Sequence, residues 1–234
     1  MTSAGTQPHL DKVRGMFARI SGRYDLLNRV MTFGRDRAWR HEAIGYLQVQ
    51  SSQRILDAGC GTGDIALEIT SKVPSAMVIA ADLTLEMIKV GKIRPGGETV
   101  LWVVADAENL PFAGKVFEGV ISGYLLRNVP RVPVALAEQF RVTVPEGRFV
   151  SLDTTPPRRN LLYPFIKFYL KFIIPLLGKI LTGDGAAYTY LPETTAHFLS
   201  AEVLAERIAG AGYRDVSFIR RMFGSMAIHR ATKP

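Results

Sequence analysis

The sequence predicts an α/β fold in which a mostly parallel sheet carries helices on both faces. The first observation is that, from Arg54 onward, short apolar runs alternate with helical patterns. The second is that these runs are bounded by glycine, aspartate or proline, as buried strands are. The third is the length of 234 residues, which favours a single domain with a large buried core.

Seven strands follow from this pattern. Five are predicted to form the parallel part of the sheet, at residues 54–58, 77–83, 100–106, 117–122 and 147–154. Two further runs, 213–221 and 225–232, are predicted to make a closing hairpin at one sheet edge. Helices are predicted between them at 64–73, at 132–144 and near 200–211.

Two segments lie outside the alternation of strands and helices. Residues 1–50 precede the first strand and carry apolar side chains at roughly helical spacing, so we expect an N-terminal helical cap. Residues 156–192 interrupt the pattern and are expected to be an insertion over the substrate side of the domain. The whole chain, 1–234, is expected to form one domain.

The insertion contains a basic, aromatic-rich segment at 158–183. It has five basic residues and no acidic one: Arg158, Arg159, Lys167, Lys171 and Lys179. Two prolines and three lysines interrupt the apolar run, so it is a poor candidate for a spanning helix. Two interpretations remain open and are compatible: an interfacial helix over anionic lipid, and a helix pair that covers the sheet.

Composition narrows the class of partner but does not select one. The chain carries 29 basic and 21 acidic residues, a formal net charge of +8, which favours anionic partners such as nucleic acid, a membrane surface or an acidic ligand. The single cysteine excludes an internal disulfide, and four scattered histidines without paired spacing predict no metal site. No apolar signal-peptide region is visible at the N-terminus.

A glycine-rich turn after the first strand predicts a ligand site. The run DAGCGTGD places Asp57, Gly59, Gly61 and Gly63 at a strand-to-helix turn, where glycines allow close approach of a ligand. A dinucleotide fingerprint would have a last glycine where Asp64 stands, and a carboxylate there disfavours a diphosphate. No Gly-Lys-Ser/Thr follows, so the P-loop interpretation fails as well. A cationic ligand suits the turn better.

The same turn resembles the first motif of class I S-adenosylmethionine (SAM) methyltransferases. Aspartates at or near the ends of three successive predicted strands, Asp57, Asp82 and Asp106, fit that resemblance, because carboxylates bind ribose hydroxyls and ammonium groups. The resemblance implies a Rossmann-like fold and SAM as methyl donor, without a metal. The cofactor-binding residues it implies are Asp57, Gly59, Gly61, Thr62, Gly63, Asp82, Leu83, Asp106, Ala107 and Ser122.

A closer resemblance covers nearly the whole chain, from about residue 13 to residue 233. The segments 16–40, 125–153 and 187–198 and the final AIHRATK look like those of the ubiquinone/menaquinone biosynthesis C-methyltransferases. The resemblance implies methylation of a ring carbon of a prenylated hydroquinone, and it favours demethylmenaquinol as the acceptor. The chain departs from the family at Leu125, where the family has glycine, at Gly123, where it has serine, and at 153–157 after the fifth strand.

Three residues are predicted to act on the acceptor. A phenolate activates its ortho carbon, and an unperturbed phenol titrates near ~10, so the site must favour the anion. Arg127 is the candidate to stabilise the oxyanion, because its guanidinium stays charged and presents several donors. Asn128 and Tyr24 are candidates to hydrogen-bond the same oxygen or to orient the ring. His197 is a weaker candidate for a base, and a structural role for it is favoured.

Several alternatives remain at this point. Another small phenol or a lipid could be the acceptor. A nucleic-acid methyltransferase is disfavoured, because no Asn/Asp-Pro-Pro-aromatic motif follows the fourth strand and Cys60 lies in the cofactor turn. A non-enzymatic membrane-binding module is disfavoured by the complete cofactor motif. We expect a lipophilic quinol as substrate, no nucleic acid, and a cytoplasmic location; peripheral contact with the inner face of the membrane and a homodimer stay open.

Overall fold

The computed structural model describes residues 15, 18, 29–30, 32–157, 163–173 and 198–234. They form a seven-stranded sheet in the order β3-β2-β1-β4-β5-β7-β6. Its strands are β1 (Arg54–Ala58), β2 (Met77–Asp82), β3 (Leu101–Val104), β4 (Phe117–Gly123), β5 (Thr143–Thr154), β6 (Arg214–Arg221) and β7 (Met226–Thr232). Strands β1 to β5 are parallel, and β7 pairs antiparallel with both β5 and β6.

The described helices cover both faces of this sheet. They are α1 (Asp36–Leu47), α2 (Asp64–Lys72), α3 (Leu85–Lys92), α4 (Val132–Val142), α5 (Tyr163–Phe168), which continues as a π-helical turn over Tyr169–Ile173, and α6 (Ala201–Gly210). Alternate strand residues such as Ile55 and Ile121 pack with α1 and α2 on one face. On the other face Phe149 packs with Leu136 of α4 and Leu204 of α6.

The α/β fold class and the closing hairpin are confirmed. The hairpin is β6 and β7, joined by a tight turn at Met222–Gly224, with Arg221 paired to Met226. Several boundaries were wrong. Strand β5 begins at Thr143 rather than 147, with a register shift against β4, and helix α4 therefore ends at Val142 rather than 144. Strand β3 ends at Val104, so Asp106 lies in the following loop and not in the strand.

The two segments predicted outside the alternation are described only in part. Of the predicted N-terminal cap, the structure describes α1, which packs on β4, β5 and α2. Of the predicted insertion it describes α5 with the π-helical turn; most of 158–183 and of 187–198 lies outside the described residues. No helix in the described part of the chain is long and apolar enough to cross a membrane.

The strand order fixes where a ligand can bind. The chain runs from β1 outward to β2 and β3 and then returns to the other side of β1 as β4. At such a reversal the loops after neighbouring strands separate and leave a crevice at the carboxyl ends of the strands. The glycine turn after β1 lies at this point.

Candidate active site

A cleft opens at the carboxyl ends of β1, β2 and β4. Its floor is formed by residues 59–62 of the turn between β1 and α2, and its walls come from the loops after β2, β3 and β4 and from α1. Among its lining residues are Arg40, Asp57, Gly59, Gly61, Thr62, Asp64, Asp82, Leu83, Asp106, Ala107, Tyr124, Leu125 and Asn128. The lining therefore combines small and apolar groups with four carboxylates.

The glycine turn is held to β2 by backbone hydrogen bonds. The N–H groups of Gly59 and Cys60 donate to the carbonyl of Ala81 at 2.7 and 3.0 Å. The N–H of Gly61 donates to the Asp82 carboxylate at 2.8 Å. The turn thus presents its backbone to the cleft in a fixed arrangement, which is the use of glycine at such a position.

Gly63 serves the packing of the turn and does not line the cleft. It precedes α2 with φ +82°, in the left-handed region that favours glycine. A Cβ on it would meet the ring of Trp102 at 2.3 Å. Trp102 is itself fixed by a hydrogen bond from its Nε1 to the carbonyl of Gly97 at 2.8 Å. Gly63 is therefore required by the neighbouring indole.

Asp57 is a buried carboxylate with one oxygen available to a ligand. Its Oδ2 accepts the N–H of Ala66 at 3.1 Å, while Oδ1 has no hydrogen-bond partner among the described residues. Burial, reinforced by the nearby charge of Asp82, raises the pKa of Asp57 to about 7. A buried acceptor of this kind at the cleft fits a cationic donor on a ligand.

The Asp82 carboxylate closes the second strand and orders both adjoining loops. Its Oδ1 accepts the N–H of Thr84 at 2.8 Å, and its Oδ2 accepts Gly61. Burial raises the pKa of Asp82, and the two backbone N–H groups oppose this. Asp106 accepts the N–H of Glu108 at 2.9 Å in the loop after β3. Both carboxylates lie where the sequence predicts ligand contacts.

Asp64 does not present an unpaired negative charge to the cleft. Its Oδ2 is 2.5 Å from Nη1 of Arg40, and its Oδ1 is 2.7 Å from Nη2 of Arg94. Two guanidinium groups therefore neutralise the carboxylate that we expected to favour a cationic ligand. That charge argument was wrong at this residue; the ligand-facing acidity comes from Asp57, Asp82 and Asp106 instead.

The turn after β4 carries the predicted catalytic residues. Tyr124 adopts φ +59°, which is costly for a residue with a side chain and marks a fixed turn. Its N–H donates to Leu152 at 2.7 Å, and its carbonyl accepts Nδ2 of Asn128 at 2.8 Å. Tyr124 and Asn128 both line the cleft.

Arg127 is not among the described residues that line the cleft. Its side chain is only 4% exposed, and Nη1 lies 3.5 Å from Oδ1 of the buried Asp153 at the end of β5. The backbone N–H of Arg127 also donates to Asp153, at 3.2 Å. Burial raises the pKa of Asp153, while the charge of Arg127 opposes this shift. The pair ties the turn after β4 to the neighbouring strand.

The structure separates the predicted site residues into three groups. Nine line the cleft: Asp57, Gly59, Gly61, Thr62, Asp82, Leu83, Asp106, Ala107 and Asn128. Gly63, Ser122 and Arg127 do not. Ser122 is fully buried in β4, while its neighbour Gly123 lines the cleft. Tyr24 and His197 lie outside the described residues.

Arg40 and Tyr124 are two large cleft residues among those that the sequence did not predict as site residues. Arg40 comes from α1, and its guanidinium carbon lies 5.8 Å from the centroid of the Tyr124 ring. No local motif marks either side chain as a ligand contact. The one available signal was their position inside segments that resemble a known family. In the part of the chain that the structure describes, no group of three or more acidic, histidine or cysteine side chains could hold a metal ion.

The fold and the cleft together define a class I methyltransferase. A SAM-dependent methyltransferase from Thermotoga maritima superposes with a TM-score of 0.65 at 18% identity, covering 95% of this chain and all of that one. A phosphoethanolamine N-methyltransferase of Haemonchus contortus, solved with S-adenosylhomocysteine, gives a TM-score of 0.62 at 15% identity over 83% of this chain and 52% of that one. At such identities the likeness concerns the fold.

The chain belongs to the ubiE/COQ5 methyltransferase family, which it matches over residues 5–233. It is 46% identical to the ubiquinone/menaquinone biosynthesis C-methyltransferase UbiE of Desulfotalea psychrophila, over 94% of this chain and 90% of the relative. It is 37% identical to the demethylmenaquinone methyltransferase of Thermus thermophilus, over 94% of this chain and all of the relative. The protein is a SAM-dependent methyltransferase.

Proposed function

We propose that the protein transfers a methyl group from SAM to a ring carbon of a prenylated hydroquinone, and that this hydroquinone is demethylmenaquinol. The observation that carries the proposal is the extent of the family match. It includes the N-terminal segment, the turn after β4 and the segment before α6, and is not confined to the glycine turn. Relatives named for ubiquinone/menaquinone and demethylmenaquinone methylation align over the same length.

We propose a place among the cleft residues for each part of the cofactor. SAM supplies an activated methyl group on a sulfonium, together with an ammonium group, a ribose and an adenine. The unpartnered Oδ1 of Asp57 suits the ammonium, and Asp82 suits the ribose hydroxyls. Asp106 and Ala107 form the wall proposed for the adenine. Gly59 and Gly61 let the backbone approach the bound group.

The acceptor step requires alignment and a nucleophilic ring carbon. The methyl group moves to that carbon as the sulfur keeps the bonding electron pair, and the carbon then loses its proton. The protein must favour the phenolate form of the hydroquinone, because the phenolate pushes electron density onto the ortho carbon. Asn128, which lines the cleft and is held by the Tyr124 carbonyl, is the residue we propose to hydrogen-bond the acceptor oxygen. Tyr24 remains the proposed second contact.

Arg127 is assigned a positioning role in this scheme. Its guanidinium pairs with Asp153 and lies 5.1 Å over the Tyr124 ring, so it supports the turn that carries Asn128. This differs from the direct oxyanion contact expected from the sequence. The reason is that the Arg127 guanidinium contacts two buried groups, the Asp153 carboxylate and the Tyr124 ring, and does not line the cleft.

The side chain of Leu125 favours keeping a second class of acceptor, a small phenol or a lipid. Leu125 fills part of the cleft at the position where the family has glycine. A bulkier wall there changes the room available beside the cofactor. Another small phenol or a lipid therefore remains the alternative acceptor, and the assay must include it.

The decisive experiment offers the purified protein several acceptors with methyl-labelled SAM. Reduced demethylmenaquinol, a demethoxy-type benzoquinol, a set of simple phenols and a set of membrane lipids would be compared at equal concentration. We expect transfer to the naphthoquinol, loss of transfer in Asp82→Asn, and normal transfer in Ile93→Ser, whose exposed side chain lies outside the cleft. Bound SAM with transfer only to a simple phenol or a lipid would replace the quinol assignment by the alternative.

The proposal extends to contact with an anionic lipid surface. Phe165, Phe168 and Phe172, on α5 and the π-helical turn, are 72%, 57% and 53% exposed. Phe33, before α1, is 74% exposed and stacks on Tyr169 with a centroid separation of 5.5 Å. The surrounding segment 158–183 is basic and has no acidic residue. Exposed aromatic side chains in a basic segment are typical of a surface that enters the headgroup region.

Vesicle flotation tests this surface. We expect the protein to float with vesicles that contain phosphatidylglycerol and less with pure phosphatidylcholine. Replacing Phe165, Phe168 and Phe172 together by serine should reduce flotation by about tenfold. Ile93→Ser is the matched control, because Ile93 is 85% exposed after α3, away from the cleft. Equal flotation of both variants and the parent protein would refute contact between these phenylalanines and the lipid surface.

We also propose that residues 1–234 form a single domain. Helix α1 packs directly on β4, β5 and α2, which supports treating residues 1–50 as part of one domain, 1–234. The insertion at 156–192 would then cover the side from which the acceptor approaches. Limited proteolysis with and without SAM tests this arrangement, since a single domain should protect both segments together.

A further inference from the structure

The tip of the β6–β7 hairpin carries an aromatic side chain in a strained and exposed position. Phe223 is 69% exposed and is the middle residue of the turn Met222–Gly224. The three residues of this turn all have positive φ, +47°, +54° and +90° in chain order. Hairpin turns of this kind favour asparagine, aspartate and glycine, and a bulky side chain there is strained. Phe223 therefore costs the fold conformational energy, and burial of the ring does not offset that cost.

Hydrogen bonds hold this turn in one conformation. The N–H and the Oγ of Ser225 both donate to the carbonyl of Met222, at 3.0 and 2.8 Å. Nη1 of Arg220 donates to the carbonyl of Gly224 at 3.0 Å. The N–H of Thr155 donates to the carbonyl of Ser225 at 2.9 Å, which ties the tip to the chain just before the insertion begins. Backbone strain that the surrounding contacts maintain is typical of functional positions.

The tip lies at the same edge of the sheet as the cleft. Thr154, the last residue of β5, pairs with Met226, the first residue of β7, so the turn is at the carboxyl ends of the parallel strands. Met222 packs against the core cluster that contains Tyr124 of the cleft. In the sheet order β7 is two strands from β4, which places the tip about 10 Å along this edge from the turn after β4.

The exposed surface of the tip is apolar and not cationic. Two arginines precede the turn, and each is paired with a carboxylate. Nη2 of Arg220 lies 2.6 Å from Oε2 of Glu202, and Nη2 of Arg221 lies 2.5 Å from Oε1 of Glu42. The ring of Phe223 is therefore the group that the tip offers to a ligand, and a hydrocarbon is the chemistry that such a ring binds.

A prenylated hydroquinone has a hydrocarbon chain that the cofactor side of the cleft does not suit. The described lining after β1, β2 and β3 includes four carboxylates, and a hydrocarbon gains nothing from contact with them. If the ring lies at Asn128 on the turn after β4, the opposite direction along the edge leads past β5 to β7 and its hairpin tip. A prenyl chain of a few units spans that distance.

We propose that Phe223 binds the prenyl chain of the acceptor and makes the protein prefer prenylated hydroquinones over the same ring without a chain. The inference rests on the proposed function, because it takes a hydroquinone at the turn after β4 as given. It assigns recognition of the chain to a residue outside both the cofactor cleft and the exposed phenylalanines of α5. The gain in binding comes from apolar area of the chain and the ring that leaves water.

The test compares an acceptor with a chain and one without it, in an assay that contains no vesicles. One acceptor is a demethylmenaquinol with a short prenyl chain, and the other is the unsubstituted naphthohydroquinone. The parent protein should show at least about fivefold higher kcat/KM for the prenylated acceptor. Phe223→Asn should remove most of this preference through a higher KM for that acceptor, with kcat/KM for the chainless one unchanged. Ile93→Asn, at an exposed position away from the cleft, is the matched control and should behave as the parent protein does.

Two further measurements separate the side chain from the backbone of the turn. Asparagine suits φ +54°, so Phe223→Asn should unfold at the same or a higher urea concentration than the parent protein. A lower midpoint would show that the ring supports the fold and would refute the inference. Phe223→Leu keeps an apolar side chain and should keep most of the preference. A loss as large as in Phe223→Asn would assign the preference to the turn backbone and refute the contact.

The remaining outcomes separate the inference from the proposed function. Transfer without preference for the prenylated acceptor in the parent protein, or an unchanged preference in Phe223→Asn, would refute the contact and leave the proposed function standing. Absence of transfer to either acceptor, with SAM bound, would refute the proposed function and the inference with it. Phe223→Asn should float with phosphatidylglycerol vesicles as the parent protein does. Reduced flotation with an unchanged acceptor preference would assign Phe223 to the lipid surface instead.

Discussion

The side chain of Leu125 lies directly against Gly59. A Cβ added at Gly59 would meet Cδ1 of Leu125 at 2.6 Å, closer than real side chains approach. Gly59 also has φ +68°, in the left-handed region that favours glycine. The first glycine of the cofactor turn and Leu125 in the turn after β4 are therefore fitted to each other.

This contact predicts coupled effects on cofactor affinity. Gly59→Ala should weaken binding of S-adenosylhomocysteine, because the new methyl group displaces Leu125 and shifts the turn. Leu125→Ala alone should change the affinity little. The double variant should recover part of the loss but not all, since about 1 kcal/mol of backbone strain at Gly59 remains. A calorimetric double-mutant cycle measures the coupling, and strict additivity of the two changes would contradict the contact.

The buried pair of Arg127 and Asp153 predicts a stability effect that could be mistaken for a catalytic one. Arg127→Met should lower the free energy of unfolding by about 3–5 kcal/mol, because it leaves the buried carboxyl group of Asp153 without its cation. Asp153→Asn in the same chain should restore part of this loss, since it removes the unpaired acid, although its single amide oxygen can accept only one of the backbone N–H groups of residues 127 and 154. Urea unfolding measures both variants.

The activity of that double variant separates two roles for Arg127. A positioning residue allows the restored protein to transfer methyl groups at a reduced rate, with kcat affected more than the KM for SAM. A stable double variant that binds SAM normally and shows no transfer at all would assign Arg127 a direct contact with the acceptor.

Asp57 predicts proton release on cofactor binding. Burial raises the pKa of Asp57 to about 7, so much of the free protein carries a proton there at mildly acidic pH. The ammonium group of the ligand favours the carboxylate, so binding should expel that proton, and affinity should rise with pH up to about 7. Calorimetry at about pH 6 in buffers of different ionisation enthalpy measures the release. Asp57→Asn should show none, and absence of release in the parent protein would contradict the placement.

His229 predicts the acid limit of stability. Its Nε2 donates to the carbonyl of Ala201 at 2.8 Å, and burial, assisted by the charge of Arg220 and opposed by Glu202, lowers the pKa of His229 to about 4. The folded protein holds this ring neutral, so its contribution is complete above about pH 6.5 and is lost as pH falls toward 4. Between pH 7 and 5 the parent protein should lose about 2 kcal/mol more than His229→Gln. Equal losses in urea unfolding would show that His229 does not titrate this way.

The strands could be predicted from the sequence because each is a short apolar run with a turn residue at its end. Strand β1 over Arg54–Ala58 shows this directly. The start of β5 could not be predicted, because Thr143 continues the apolar helical pattern and only pairing with Phe117 makes it a strand. Local pattern determines the element, and long-range pairing determines where it begins.

The cofactor side of the site was more predictable than the acceptor side for a related reason. The glycine turn is one contiguous motif, so its residues are found together. The orientation of Ser122 depends on which face of β4 it occupies, and that of Arg127 on a carboxylate 26 residues away. Arg40 reaches the cleft only because α1 packs beside α2. Such contacts depend on tertiary packing and leave no pattern in the sequence.

The position of the transferred methyl group tests most directly whether the protein methylates a ring carbon of a prenylated hydroquinone. The protein would be incubated with SAM labelled with carbon-13 in the methyl group and with reduced demethylmenaquinol, and the product examined by mass spectrometry and NMR. We expect a single product with the label on the ring carbon ortho to a hydroxyl. A label on a phenolic oxygen, or an unchanged quinol beside bound SAM, would contradict C-methylation of a prenylated hydroquinone.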